Sequence, residues 1–206
     1  MQCIIIDTSC NRSYIILAQL GIPIAFLPID GGEGLSKSLG RTIQNLLDQH
    51  PSFRASLIAV GTGPGSYTGV RVGVAMAKAL AFGWKIPLMA FCSLQAFVPQ
   101  QTGRFAILVD ARMGGCYCLK GERLKDTVQF EEAFLLKSAH ELSENELLVS
   151  PHPADIQTRL AISRPVLDAQ PDPLFISSDC RRKAEKNAQS PLDPLPLAYT
   201  ALGHKL

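Results

Sequence analysis

Two stretches of the chain carry residue types that could do chemistry. Asp7-Thr8-Ser9 ends a short apolar run, Cys3–Asp7, and sets an acid beside two hydroxyls at the start of a turn. Amides and hydroxyls in such a turn can hold phosphate oxygens, and the acid can hold a magnesium ion or its waters. The same three residues are also ordinary turn formers. The second stretch is Gly61-Thr62-Gly63-Pro64-Gly65-Ser66-Tyr67-Thr68-Gly69-Val70-Arg71-Val72-Gly73. Its glycines let the backbone fold sharply, and the helix that follows presents unbonded N–H groups with a partial positive charge. Asp7, Thr8, Ser9, Gly63, Gly65 and Ser66 are therefore the candidate cofactor-holding set. Against that stands a plainer use, with Ser66 or Thr68 as a helix cap and the glycines serving packing.

Other chemistries find no residues. No Gly-Lys-Ser/Thr follows the glycines, so the loop is not a P-loop, and it does not match the dinucleotide fingerprint. There is no Gly-x-Ser-x-Gly elbow, and no Ser or Cys has an evident base. His50, His140, His152 and His204 form no His-x-x-x-His pair, so no metal site is expected on one helix face. Cys3, Cys10, Cys92, Cys116, Cys118 and Cys180 are too few for a disulfide scaffold in 206 residues and read as free thiols of a reducing compartment. Lys plus Arg number 20 and Asp plus Glu 18, a net +2, so no basic excess advertises nucleic-acid binding. No apolar run approaches the ~20 residues of a membrane span, and no signal-peptide pattern opens the sequence. A cytoplasmic protein is expected.

The elements that must position these residues are α/β. Cys3–Asp7, Ser13–Gln19 and Ile22–Leu27 read as three antiparallel strands. After the break Gly31-Gly32-Glu33-Gly34, the spacing of Leu35, Leu39, Ile43, Leu46 and Leu47 predicts a helix over Ser36–Gln49, with Pro51 beyond its end. Leu57–Gly61 and Pro87–Phe91 read as strands around a helix from Gly69 to Gly83. On that helix Gly69, Gly73, Ala77 and Ala81 fall four apart and make a face almost without side chains. Either the chain's own sheet or a partner protein can approach such a face closely. Arg71, Lys78 and Lys85 fall seven apart on another stripe.

After Pro99–Gly103 the pattern restarts. Phe105–Asp110 echoes Cys3–Asp7, and again a polar turn, a β-rich run and a third run near Phe130 follow. The chain therefore reads as an internal duplication with two domains, 1–99 and 100–206, the second reduced. A facing Asp7–Asp110 acid pair across a cleft is weighed against turn capping, which explains each acid alone. In the last quarter, His140–Leu148 and Ala154–Ala161 read as short helices and Leu174–Ser177 as a strand. Arg181-Arg182-Lys183 with Lys186 reads as a solvated helix face, and Ser190–Pro196 as extended.

Ile6-Asp7-Thr8-Ser9, the block Gly61–Gly73, Pro87-Leu88-Met89-Ala90-Phe91-Cys92-Ser93-Leu94 and Asp110-Ala111-Arg112 resemble, in order and spacing, the bacterial TsaB (YeaZ) family. The likeness is clear from residue 3 to about 118. It implies two tandem actin-like, ribonuclease H-like halves, each opening with a three-strand antiparallel unit. It implies a non-catalytic scaffold and activator of TsaD in forming N6-threonylcarbamoyladenosine in tRNA. On that reading the two loops are vestigial nucleotide loops with no cofactor and no metal. The partners implied are TsaD, TsaE through the TsaB–TsaD complex, and tRNA only indirectly. The helices Ser36–Gln49 and Gly69–Gly83 would dock the partner through Leu39, Ile43, Gly69, Arg71, Gly73, Ala77, Lys78 and Ala81, and the same helices are open to homodimer formation. The rival reading is a glycoprotease-type peptidase or a small acyl or phosphoryl transferase, which would need a metal pair or a nucleophile–base pair. Some positions depart from the family. Leu35-Ser36-Lys37-Ser38-Leu39-Gly40-Arg41 stands for His-Ser-Glu-x-Leu-Leu-Pro, and Met113-Gly114-Gly115-Cys116-Tyr117 for Arg-Gly-Glu-Val-Tyr. Pro196-Leu197-Ala198-Tyr199-Thr200 stands for Pro-Leu-Tyr-x-Arg.

Overall fold

A run that is apolar at every position up to its acid suits a central strand buried on both faces. It forms β1 (Gln2–Asp7). The computed structural model of the chain describes residues 1–30, 34–111, 114–193 and 195. The break at Gly31–Glu33, Arg112 and Met113, and the motif from Pro196 lie outside the described residues. β2 (Arg12–Gln19) and β3 (Ile22–Asp30) follow β1 in antiparallel pairing. Helix α1 (Leu35–Asp48) buries Leu35, Leu39, Ile43 and Leu46, the stripe its spacing predicts. β4 (Leu57–Gly61) lies parallel to β1, and α2 (Tyr67–Trp84) crosses to β5 (Leu88–Phe91), parallel to β4. The order is β3-β2-β1-β4-β5. Ile4, Ile6, Ile15, Leu17, Ile58 and Val60 pack in one core with α1 and α2.

The plan then repeats. β6 (Gly103–Asp110), β7 (Cys116–Arg123) and β8 (Val128–Phe130) are antiparallel, and β9 (Phe134–Leu136) also pairs with β7. β10 (Leu147–Ser150) runs parallel to β6, and α3 (Pro153–Leu160) leads to β11 (Leu167–Asp168), parallel to β10. The order β11-β10-β6-β7-β8, read from its far end, is that of the first sheet. The duplication is therefore real, and the second copy is reduced. A 3-residue 3-10 turn, Ala139–Glu141, stands where the first copy has the 14-residue α1, and α3 has 8 residues against 18 in α2.

Four expectations need correction. The first unit comprises Met1–Ser93 and the segment returning from Pro173, and the second is Leu94–Asp172, so the division is not 1–99 and 100–206. The strand expected at Leu174–Ser177 is the start of α4 (Pro173–Asn187). Ile176, Cys180 and Ala184 recur every four residues and are buried, so α4 packs on the first unit's β2, β3 and β5. That packing carries the chain back into the first unit. The helix expected over His140–Leu148 gives way to the 3-10 turn and β10, because Leu148 and Val149 are buried in a strand between β6 and β11. Ser190–Asp193 closes as a turn, with Asp193 N–H donating to the Ser190 carbonyl at 3.1 Å, instead of running extended. Among the described residues no helix is long and apolar enough to cross a membrane.

Candidate functional site

β1 carries Asp7 to the carboxyl end of a central strand, next to the end of β4 and the loop that leads into α2. Asp7 is 3% exposed. The Ser9 N–H donates to Asp7 Oδ1 at 2.8 Å, and the Ser9 and Ser93 hydroxyls also bond the carboxylate. Ser93 ties this acid to the glycine loop: its Oγ accepts the Gly63 N–H at 3.0 Å, and its N–H donates to the Gly63 carbonyl at 2.8 Å. Burial pushes the Asp7 carboxyl above the ordinary aspartate value, and these neutral donors oppose the rise.

Thr8 and Ser9 lock onto the same loop. Thr8 Oγ1 donates to the Gly69 carbonyl at 2.6 Å, and the Ser66 N–H donates to the Ser9 carbonyl at 2.5 Å. Ser66, not Thr68, caps α2, its Oγ accepting the Gly69 N–H at 3.3 Å. The glycines at 61, 65, 69 and 73 share one purpose. A Cβ on Gly61 would collide with the Asp7 carboxylate, on Gly65 with the Ser9 carbonyl, on Gly69 with the Thr8 carbonyl and on Gly73 with Thr8 Oγ1. The two candidate loops are thus brought together, and each is the other's ligand.

The partner-surface residues divide. Leu39, Ile43, Ala77 and Ala81 are at most 2% exposed, and Gly69 and Gly73 are buried too. The small-residue face lets the chain's own β1–β2 turn and sheet approach, so these six positions are interior and not a surface. Arg71 and Lys78 remain on the outside. The Arg71 guanidinium lies 3.8 Å from the centre of the Tyr67 ring, and Lys78 Nζ donates to the Asp193 carbonyl at 2.8 Å. With Tyr67, Ala75 and Ala79 they form the outer ridge of α2.

Asp110 sits at the end of β6 and is gripped by Arg159 of α3, with Nε at 3.0 Å from Oδ1 and Nη2 at 3.2 Å from Oδ2. Sequence reasoning missed Arg159, Ser93 and Gly61 as partners of the two acids. Ser93 follows β5 in a block the family likeness includes, which is a usable signal; nothing in sequence joins Arg159 to Asp110. No disulfide joins any of the six cysteines, and burial pushes the Cys3, Cys116 and Cys118 thiols up to about 12. Among the described residues no cluster of three or more His, Cys, Asp or Glu could hold a metal ion.

The family model described as TsaD, tRNA N6-adenosine threonylcarbamoyltransferase, matches residues 26–160. The "tRNA threonylcarbamoyladenosine biosynthesis protein TsaB" of Bacillus subtilis is 37% identical over 98 residues, 44% of this chain and 43% of that protein. The protein of the same name in Escherichia coli K12 is 37% identical over 130 residues, 60% of this chain and 56% of that one. The chain belongs to this family, on its TsaB (YeaZ) branch. The chain spans about half the length of these curated relatives. The solved structure titled "YeaZ from Pseudomonas aeruginosa" superposes with a TM-score of 0.74 at 22% identity, covering 100% of this chain and 99% of that one, which establishes the shared fold.

Proposed function

We propose that the chain is a non-catalytic scaffold that binds and activates a TsaD-type threonylcarbamoyltransferase as it forms threonylcarbamoyladenosine in tRNA, in the cytoplasm. One observation carries the reading: the loops that would cradle a nucleotide are filled by each other. Thr8 Oγ1 is spent on the Gly69 carbonyl, and the Ser66 amide on the Ser9 carbonyl. What the site offers outward is the ridge of α2, where Tyr67, Arg71 and Ala75 stand exposed on a well-packed helix. Such a ridge suits docking of partner helices, with the Tyr67–Arg71 stack as a preformed anchor. TsaE would be reached through the complex with TsaD, tRNA would be contacted only indirectly, and a homodimer would use the same ridge. Reconstitution with the cognate TsaD, TsaE, a threonylcarbamoyl donor and tRNA tests this. Modification should require the chain, and Ala75→Arg should abolish both TsaD binding and modification while leaving the thermal melt unchanged. Modification at full rate without the chain, or an Ala75→Arg variant that still binds and activates, would sink the reading.

A further inference from the structure

Beyond the Tyr67 end of α2, its other end opens onto a groove of about 660 Å³ that the scaffold reading does not use. One wall is Phe82 and Lys85 at the end of α2, with Pro87; the other is Gln189, Pro191 and Leu192, on the segment that follows α4. That second wall is anchored at several points. Leu88 and Gln189 exchange backbone hydrogen bonds of 2.9 and 2.8 Å, Lys78 holds the Asp193 carbonyl, and Leu195 packs against the core beneath α2. The Asp193 carboxylate is turned to the Ser190 N–H at 3.2 Å. Apolar side chains rim the groove and stay open, with Phe82 at 62% and Leu192 at 75% exposure. Among the described residues lining it Lys85 is the one that carries a charge, and the sequence of α2 holds no acid.

We propose that this groove docks an acidic peptide segment of another protein, one whose apolar side chain seats between Phe82 and Leu192 while its carboxylates meet Lys85. The size falls in the range of a ligand-binding cleft, and the open aromatic supplies the anchor contact such sites use. Sign complementarity selects an acidic occupant over a basic one. The proposal stands apart from the scaffold reading, because it rests on the opposite end of α2.

Trp84, the chain's single tryptophan, lies between Gly83 and Lys85 and reports on the site by fluorescence. The full chain is titrated with a synthetic tryptophan-free peptide carrying a leucine pair flanked by glutamates, and with its lysine-flanked counterpart. The glutamate peptide should shift the Trp84 emission saturably and lose affinity as salt rises, and the lysine peptide should not bind. Phe82→Ser or Leu192→Ser should weaken binding about tenfold, and Lys85→Gln should remove most of the salt dependence. Both apolar positions are exposed, so the variants fold. Equal response to both peptides, no saturable shift, or affinity untouched by Phe82→Ser and Leu192→Ser overturns the proposal. So does an emission shift that follows protein concentration alone with dimer formation in sedimentation, which assigns the groove to a second copy.

Discussion

The turn after β1 and the turn after β6 stand at matching places in two sheets of one strand order, and each presents an aspartate. Asp7 is sealed in and held by amide and hydroxyl donors, whereas Asp110 keeps 24% of its side chain exposed and meets a guanidinium. The difference follows from the connection that leads out of the neighbouring parallel strand. Between β4 and α2 the chain is glycine-rich, so helix and loop press directly onto the Thr8–Ser9 backbone. Between β10 and α3 it reads Pro151-His152, without glycine, and the long side chain of Arg159 reaches the acid instead. One topological slot is filled by backbone in the first copy and by a cation in the second. Glycine placement therefore decides which copy builds a rigid lock.

The comparison can be broken most sharply at Gly69. If backbone contact is what holds the first turn, Gly69→Ala drives a methyl into the Thr8 carbonyl and disturbs the Thr8 Oγ1 bond with it. A loss of about 3 kcal/mol in denaturant unfolding is expected, the upper end of ordinary overpacking. A variant as stable as the parent would show that α2 is free to move off the turn.

Ser93→Ala sharpens the same point on a smaller scale. It strips one bond from the buried Asp7 carboxyl and orphans the Gly63 N–H, which should cost about 1–3 kcal/mol. Asp7→Asn gives a signature in pH. The folded-state value of Asp7 is raised by burial, so the parent carries its full stability below the ordinary aspartate range and loses part of it as pH climbs through the raised value. The Asn variant has no such loss. Melting temperatures of the two proteins across that interval should converge at the acidic end and favour Asn increasingly above it. Parallel curves would mean that the carboxyl is not under strain from burial.

How much of this was legible in sequence follows the range of the forces involved. The three-strand opening of each copy was readable because each begins with an apolar run ending in aspartate, a local pattern. The Asp7 turn and the glycine loop each stood out by unusual residue types, but their contact with each other left no mark in the sequence. What failed was direction. The strip Gly69, Gly73, Ala77, Ala81 announces close approach but not by what, and the approaching group proved to be the chain's own turn and sheet. Helix α4 was misread because Leu174-Phe175-Ile176 has strand-like residues, while the stripe Ile176, Cys180, Ala184 that decides the matter is longer than the window. Arg159 was invisible, since an ion pair between distant positions leaves no mark in spacing.

The smallest effect belongs to that ion pair, and it tests whether the second copy needs its cation. Both side chains are partly in water, 36% and 24% exposed, so solvent screens the attraction and limits what it adds. The two near-parallel bonds favour a value at the upper end of surface pairs. A double-mutant cycle with Arg159→Ala and Asp110→Asn should therefore give a coupling of about 0.5–1 kcal/mol, shrinking in high salt. Asp110→Asn should be milder than Arg159→Ala, because Asn keeps an acceptor in place and the aliphatic stem of Arg159 also packs. A coupling of several kcal/mol would place Asp110 in an environment as closed as that of Asp7 and erase the contrast between the two turns. A coupling near zero would show that the second turn is held by its backbone alone, with Arg159 merely resting on it.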